Sequence, residues 1–143
     1  MSRALVDTNV LASGFTYQGS IPDQLLRAWL AGCYELAISE EILTELERTL
    51  HKPYFFTRLG VEQIQANLAL LRRRASVVSL TAQVRGVATH PEDDLVLAAT
   101  VSAHSDYLVT GDGPFRRRVP TYQGVSLISP RDFLELLELE SAT

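Results

Sequence analysis

Two short apolar runs in this chain each deliver an acidic residue at their C-terminal end, and they lie more than a hundred positions apart. Ala4-Leu5-Val6 leads into Asp7, and Tyr107-Leu108-Val109-Thr110-Gly111 leads into Asp112. Short runs that are apolar throughout, rather than alternating, suit strands buried on both faces of a parallel sheet covered by helices. Such strands present their C-terminal ends to one crevice, so residues remote in sequence meet there. Carboxylates brought together in this way repel one another unless a cation lies between them. The pattern therefore suggests a metal site.

The intervening sequence alternates helical and strand signals. Ser13 to Pro22, with two Gly, Ser and Thr, reads as a loop. A helix follows in which Leu25, Leu26, Trp29 and Leu30 form one apolar stripe ended by Gly32. Tyr34 to Ile38 reads as a second strand, after which Ser39 caps a helix with Glu40 and Glu41 at its start and Ile42, Leu43, Leu46 and Leu50 facing inward. Pro53 stops that helix. A further helix runs from about Val61 to Arg74, and a third strand covers Ser76 to Leu80. Thr89-His90-Pro91-Glu92 has capping-box form and introduces a helix through Ala103. Tyr107 to Thr110 and Val125 to Ile128 are the last strands. Ser129-Pro130-Arg131-Asp132 then opens a C-terminal helix burying Phe133, Leu134 and Leu137. Strands and helices alternating at this spacing predict a three-layer α/β/α fold with a central, mainly parallel sheet.

With 143 residues, 46% of them hydrophobic, residues 1–143 are expected to form a single domain around one core. No run approaches the roughly 20 apolar residues of a membrane span, and Met1-Ser2-Arg3 passes straight into a strand, so a cytoplasmic protein without membrane association is expected. Cys33 is the only cysteine, which agrees with a reducing compartment and a small core residue. The formal charge of −4 does not exclude nucleic acid. Setting aside four acids for a metal site leaves 13 acidic residues against 13 Lys plus Arg. Lys52 is the only Lys, and six of the Arg form the triplets Arg72-Arg73-Arg74 and Arg116-Arg117-Arg118. Arg suits phosphate through its planar fork of donors, and it equally suits a solvated face.

Four places put acid where a crevice can use it: Asp7, the helix with Glu41, Glu45 and Glu47, the pair Asp93-Asp94, and Asp112. Hard oxygen donors of this kind favour Mg²⁺ or Mn²⁺. Each also has an ordinary reading, since acids suit the first turn of a helix and Asp112-Gly113 is common turn chemistry. The coincidence of all four favours the functional one. Helical phase does not choose between Glu45 and Glu47.

The segments Val6-Asp7-Thr8-Asn9-Val10-Leu11, Ser39-Glu40-Glu41-Ile42-Leu43-Thr44-Glu45-Leu46, Pro91-Glu92-Asp93-Asp94-Leu95-Val96-Leu97-Ala98-Ala99 and Val109-Thr110-Gly111-Asp112 follow in an order that resembles PIN-domain ribonucleases of the VapC toxin kind. The resemblance implies a PIN-like α/β fold and Mg²⁺- or Mn²⁺-dependent hydrolysis of RNA. It gives catalytic and metal-binding roles to Asp7, Glu45, Asp94 and Asp112, with Asn9, Asp93 and Thr110 in support. An antitoxin partner and a homodimer are further implications. His90 departs from the Asp that relatives of this subgroup commonly carry there, and reads as a surface residue. Arg116, Arg117 and Arg118 lie just beyond Asp112 and are the expected contacts to RNA phosphates.

Two rivals remain. A Mg²⁺-dependent phosphatase also places Asp after a first parallel strand, but the haloacid-dehalogenase pattern wants a second Asp where Asn9 stands. A non-catalytic PIN-like interaction module would keep the fold without the chemistry. Tyr54-Phe55-Phe56, between two helices, fits either an interface or the domain's own core. The three His lack a Ser or Cys partner in a recognisable triad, and no Gly-rich phosphate loop is present.

Overall fold

The computed structural model describes residues 1–88 and 90–142. Among these residues, six strands form one sheet in the order β3-β2-β1-β4-β6-β5: β1 Arg3–Val6, β2 Glu35–Ser39, β3 Ser76–Val78, β4 Tyr107–Val109, β5 Thr121–Tyr122 and β6 Val125–Ile128. Every neighbouring pair is parallel except β5 with β6. The chain steps outward from β1 through β2 to β3, then crosses back to place β4 on the other side of β1. The reversal opens a switch point between the C-terminal ends of β1 and β4, where such sheets hold ligands. Ala4, Leu5, Val6, Leu108 and Val109 are all buried, as strands covered on both faces require.

Among the described residues, seven helices surround the sheet: α1 Thr8–Thr16, α2 Ile21–Leu30, α3 Glu40–Leu50, α4 Pro53–Arg74, α5 Pro91–Ser102, α6 Gly113–Arg118 and α7 Pro130–Ser141. Helices α1 to α4 pack against one another and α7 joins them through α2, while α5 lies directly on β1, β2 and β4. With the right-handed crossovers that parallel strands require, the reversal of strand order puts α5 on the opposite face, completing three layers. Among the described residues, no helix is long and apolar enough to cross a membrane.

Several local expectations need correction. The segment from Ser13 to Pro22 is not all loop, because α1 extends to Thr16. Its Gly14 reflects close helix packing rather than a break: a Cβ there would lie 2.6 Å from Leu26 Cδ1 and 3.0 Å from the Pro22 carbonyl. Pro53 begins a helix as well as following one. Residues 53–59 are helical ahead of a kink at Gly60, and the segment from Val61 continues to Arg74. Tyr54 and Phe56 are exposed on that added portion, where Tyr54 packs edge-on against Phe55 and its hydroxyl bonds the Tyr17 hydroxyl. Leu30 and Cys33 are exposed, because α2 ends at the surface and Cys33 follows it in the turn before β2. Strand β3 stops at Val78 and β4 at Val109, while β2 begins at Glu35 rather than Tyr34. The capping box called for Thr89, which lies outside the described residues; His90 holds the N-cap position without a side-chain capping bond. Helix α6 and strand β5 add to the elements that the sequence pattern predicts.

The packing at Gly14 sets one test. Gly14→Ala gains helix propensity of about 1 kcal/mol, but overpacking typically costs about 1–3 kcal/mol. Because one obstructing atom is backbone, the variant is expected to lose about 1 kcal/mol overall. Urea unfolding measures it, and a stabilised variant would contradict the close approach of α1 and α2.

Candidate active site

Asp7 is the first residue beyond β1 and the N-cap of α1. Its backbone N–H continues the parallel ladder by donating to the Val109 carbonyl at 3.0 Å, so the end of β1 is locked to the end of β4. The side chain is fixed at both oxygens: Oδ1 accepts from Val10 N–H at 3.0 Å, and Oδ2 accepts from the Thr110 hydroxyl at 2.5 Å. Thr110 Oγ1 in turn accepts from Asp112 N–H at 3.2 Å. Asp112 caps α6, with Oδ1 accepting from Phe115 N–H at 3.1 Å. Thr110 thus links the two acidic strand ends through a single hydroxyl.

A cavity of about 520 Å³ opens above this link, lined by Asp7, Asn9, Val10, Asp93, Thr110 and Asp112, with Ser13, Pro22, Gly111 and Pro130 completing its wall. Burial raises the pKa of Asp7; the hydrogen bonds from Thr110 and Val10 oppose the shift, and the charges of Asp93 and Asp112 add to it. Asp93 is also raised, first by burial and next by Asp112, with His90 acting in the opposite direction. Three carboxylates therefore share one space, and the charge of Asp112 bears on both Asp7 and Asp93.

The four acids of the sequence reading are not all brought to this cavity. Asp7 and Asp112 are. Asp94 is buried and turned away, with its two oxygens accepting from Gly86 and Ala88 N–H at 2.9 and 2.8 Å, while its neighbour Asp93 lines the cavity. Glu45 is exposed in a separate depression of about 370 Å³ with Ser39, Glu41, Arg48 and Glu92. Glu47 lines neither space. Asn9 and Thr110 stand in the cavity wall and His90 is exposed. Of the basic triplet, Arg116 Nη1 donates to the Thr110 carbonyl at 2.5 Å, Arg118 Nε donates to the Val87 carbonyl at 3.2 Å, and Arg117 curls over Gly113. Ser13, Pro22 and Pro130 carry no site signal in the sequence, since only the packing of the body of α1 and the starts of α2 and α7 around the crevice brings them there.

Among the described residues, no three His, Cys, Asp or Glu side chains converge closely enough to form a protein-only metal cage. That does not disqualify the donor set. Mg²⁺ is usually held by one or two carboxylates and keeps several waters for exchange with substrate phosphate. The oxygen donors of Asp7, Asp93 and Asp112 in one cavity fit that demand, and a cation would offset the burial, and the lesser repulsion, that raise Asp7 and Asp93.

The PIN domain family model matches residues 3–113, so the chain belongs to the PIN domain family. Among solved structures, it is similar to VapBC2 from Rickettsia felis, determined bound to a promoter DNA fragment, with a TM-score of 0.63 and 19% identity over 89% of this chain and 98% of that one. It is similar to VapC20 from Mycobacterium tuberculosis, described as a Sarcin-Ricin loop cleaving toxin, with a TM-score of 0.56 and 20% identity over 86% and 98% of the two chains. The protein PAE2754 from Pyrobaculum aerophilum aligns over 96% of this chain and 90% of its own at 20% identity, with a TM-score of 0.56. These likenesses establish a shared α/β fold. No curated protein matches the chain.

The raised pKa of Asp7 carries a stability prediction with a definite sign. A carboxyl whose folded pKa lies above its unfolded value stabilises the fold while protonated, and that contribution is lost as pH rises through the folded pKa. Asp7→Asn keeps a side-chain oxygen for the Val10 cap and has no charge to bury. In metal-free buffer it should therefore be more stable than wild type at pH 8, with the difference shrinking toward pH 4. Urea unfolding at both values measures this; a variant less stable than wild type at pH 8 would refute the electrostatic cost assigned to Asp7.

Proposed function

We propose that this chain is a metal-dependent ribonuclease of the VapC kind, a single PIN-like domain over residues 1–143 that hydrolyses RNA phosphodiester bonds with Mg²⁺ or Mn²⁺. The observation that carries the reading is the cavity at the β1–β4 switch point, where Asp7, Asp93 and Asp112 meet in a chain of the PIN domain family. A toxin role in a toxin–antitoxin pair is supported by the shared fold with VapBC2 and VapC20. An antitoxin and a second copy of the chain are the proteins such a role implies as partners, with exposed Tyr54, Phe56 and Val61 as contact surface. A strictly monomeric chain in sedimentation at micromolar concentration would count against the second copy.

A divalent cation in this cavity supplies a lower pKa for an attacking water and charge neutralisation at the scissile phosphate. Asp7, Asp93 and Asp112 would hold it, directly or through its retained waters, since the three do not close a protein-only cage. Thr110 ties the Asp7 carboxylate to the Asp112 backbone, and Phe115 N–H holds the Asp112 carboxylate, so both need little rearrangement on binding. Asn9 is exposed at the rim, with an amide able to bond a phosphate or ribose oxygen. Glu45 lies in the neighbouring depression, and both spaces touch the first turns of α5, so an RNA strand crossing that helix start would pass both. Arg116 is anchored at the cavity wall by one N–H, leaving its other donors for phosphate, and Arg117 and Arg118 are exposed on the same short helix.

Single- and double-stranded RNAs incubated with Mg²⁺, Mn²⁺ or EDTA test the chemistry. Asp7→Asn and Asp112→Asn should each remain folded while cleavage falls by about a hundredfold or more, as expected when groups that stabilise reaction charge are removed. Wild-type activity in either variant, or cleavage that survives thorough chelation, would contradict the proposal. The basic helix has its own readout. Arg117→Gln should weaken binding to RNAs of many sequences by a similar factor and reduce the salt slope by about one counterion. An unchanged slope would assign Arg117 to a solvated face.

A further inference from the structure

Asp94 sits one residue beyond Asp93, and successive side chains on a helix diverge by about 100°. With Asp93 in the cavity wall, Asp94 points elsewhere, and the structure gives it a specific task. Its carboxylate is buried and bonds the N–H groups of Gly86 and Ala88, one on each oxygen. Gly86 has φ 68°, a backbone conformation that side chains other than hydrogen rarely permit. Between the two amides, the Val87 carbonyl accepts from Arg118. The strap 86–88 is therefore held from one side by the first turn of α5, which carries Asp93, and from the other by the last turn of α6, which begins beyond Asp112.

We infer that Asp94 is a positioning residue that clamps the strap 86–88 between α5 and α6 and so aims Asp93, which presents the third carboxylate of the cavity. The inference rests on the metal-dependent reading of that cavity. For Asp94 itself to reach the cavity, its carboxylate would have to abandon both amides and leave two N–H groups unpaired, one of them in a buried residue. Arg118, through the same strap, ties α6, which Asp112 caps, to α5, which carries Asp93, and does not depend on RNA for its place.

Amide hydrogen exchange and Mn²⁺ binding, measured on the whole chain, separate the roles of the two acids. In wild type, the Gly86 and Ala88 amides should exchange more slowly than those of Gln83 and Arg85 in the same exposed stretch. Asp94→Asn should speed exchange at both amides and lower Mn²⁺ affinity by about tenfold, the usual order when a residue supporting a metal ligand is lost. Asp93→Asn should leave those amides unchanged and lower Mn²⁺ affinity further than Asp94→Asn. Unchanged exchange in Asp94→Asn overturns the clamp. Unchanged Mn²⁺ affinity in that variant, or a loss greater than that of Asp93→Asn, overturns the positioning role. Should Asp94→Asn fail to fold, wild-type exchange at Gly86 and Ala88 as fast as at Gln83 would still overturn the clamp. Absence of Mn²⁺ binding by wild type would instead remove the metal reading and the role of Asp93 with it, and the exchange comparison would still decide the clamp.

Discussion

The parallel pairing of β1 with β4, in the register Val6 opposite Val109, is the constraint on which the rest of the site depends. It sets Asp7 N–H on the Val109 carbonyl and puts Thr110 where its hydroxyl can meet the Asp7 carboxylate. Side chains alternate along a strand, so a slip of one residue would send Thr110 to the other face and separate Asp7 from Asp112. Five buried residues in the two strands make that slip costly, because it would also turn apolar side chains out of their packed positions. The core thus fixes a polar geometry that carboxylate repulsion alone would oppose.

Helices finish the site from above. Asp7, Ser39, Asp112 and Ser129 each cap the helix that follows a strand, so each chain turns out of the sheet at a defined angle. Pro22 and Pro130 stand in the first turns of α2 and α7, and the rims of the cavity are therefore helix starts. At Asp7 and Asp112 the capping residue is also the candidate ligand. One oxygen of each carboxylate serves the backbone, leaving the group held in place rather than free to swing away from the cavity.

Much of this was legible in the sequence because buried parallel strands are unmistakable when apolar runs end in polar turns. The runs ending at Asp7 and Asp112, the cap at Ser39 and the Ser129-Pro130 start all survive in the structure. Helix α1 was hidden because Gly14, read as a loop signal, serves a close contact between helices that only tertiary packing reveals. Helix α6 has six residues, too few for periodicity to register, and β5 has two. The distinction between Asp93 and Asp94 was beyond sequence alone: family register selected Asp94, whereas the orientation of the helix start depends on the strap 86–88. Glu45 shows the same limit, since its phase on α3 fits an exposed face without saying which depression it borders.

Paramagnetic broadening by Mn²⁺, followed residue by residue in the amide spectrum, tests the central claim most directly. If Asp7, Asp93 and Asp112 bind one cation at the β1–β4 switch point, substoichiometric Mn²⁺ should first erase the signals of Val10, Asp93 and Gly111. Signals near Met1 and Arg74, which share a separate depression, should persist. Broadening that begins around Glu45 and Arg48, or that follows no single locus, would contradict the account.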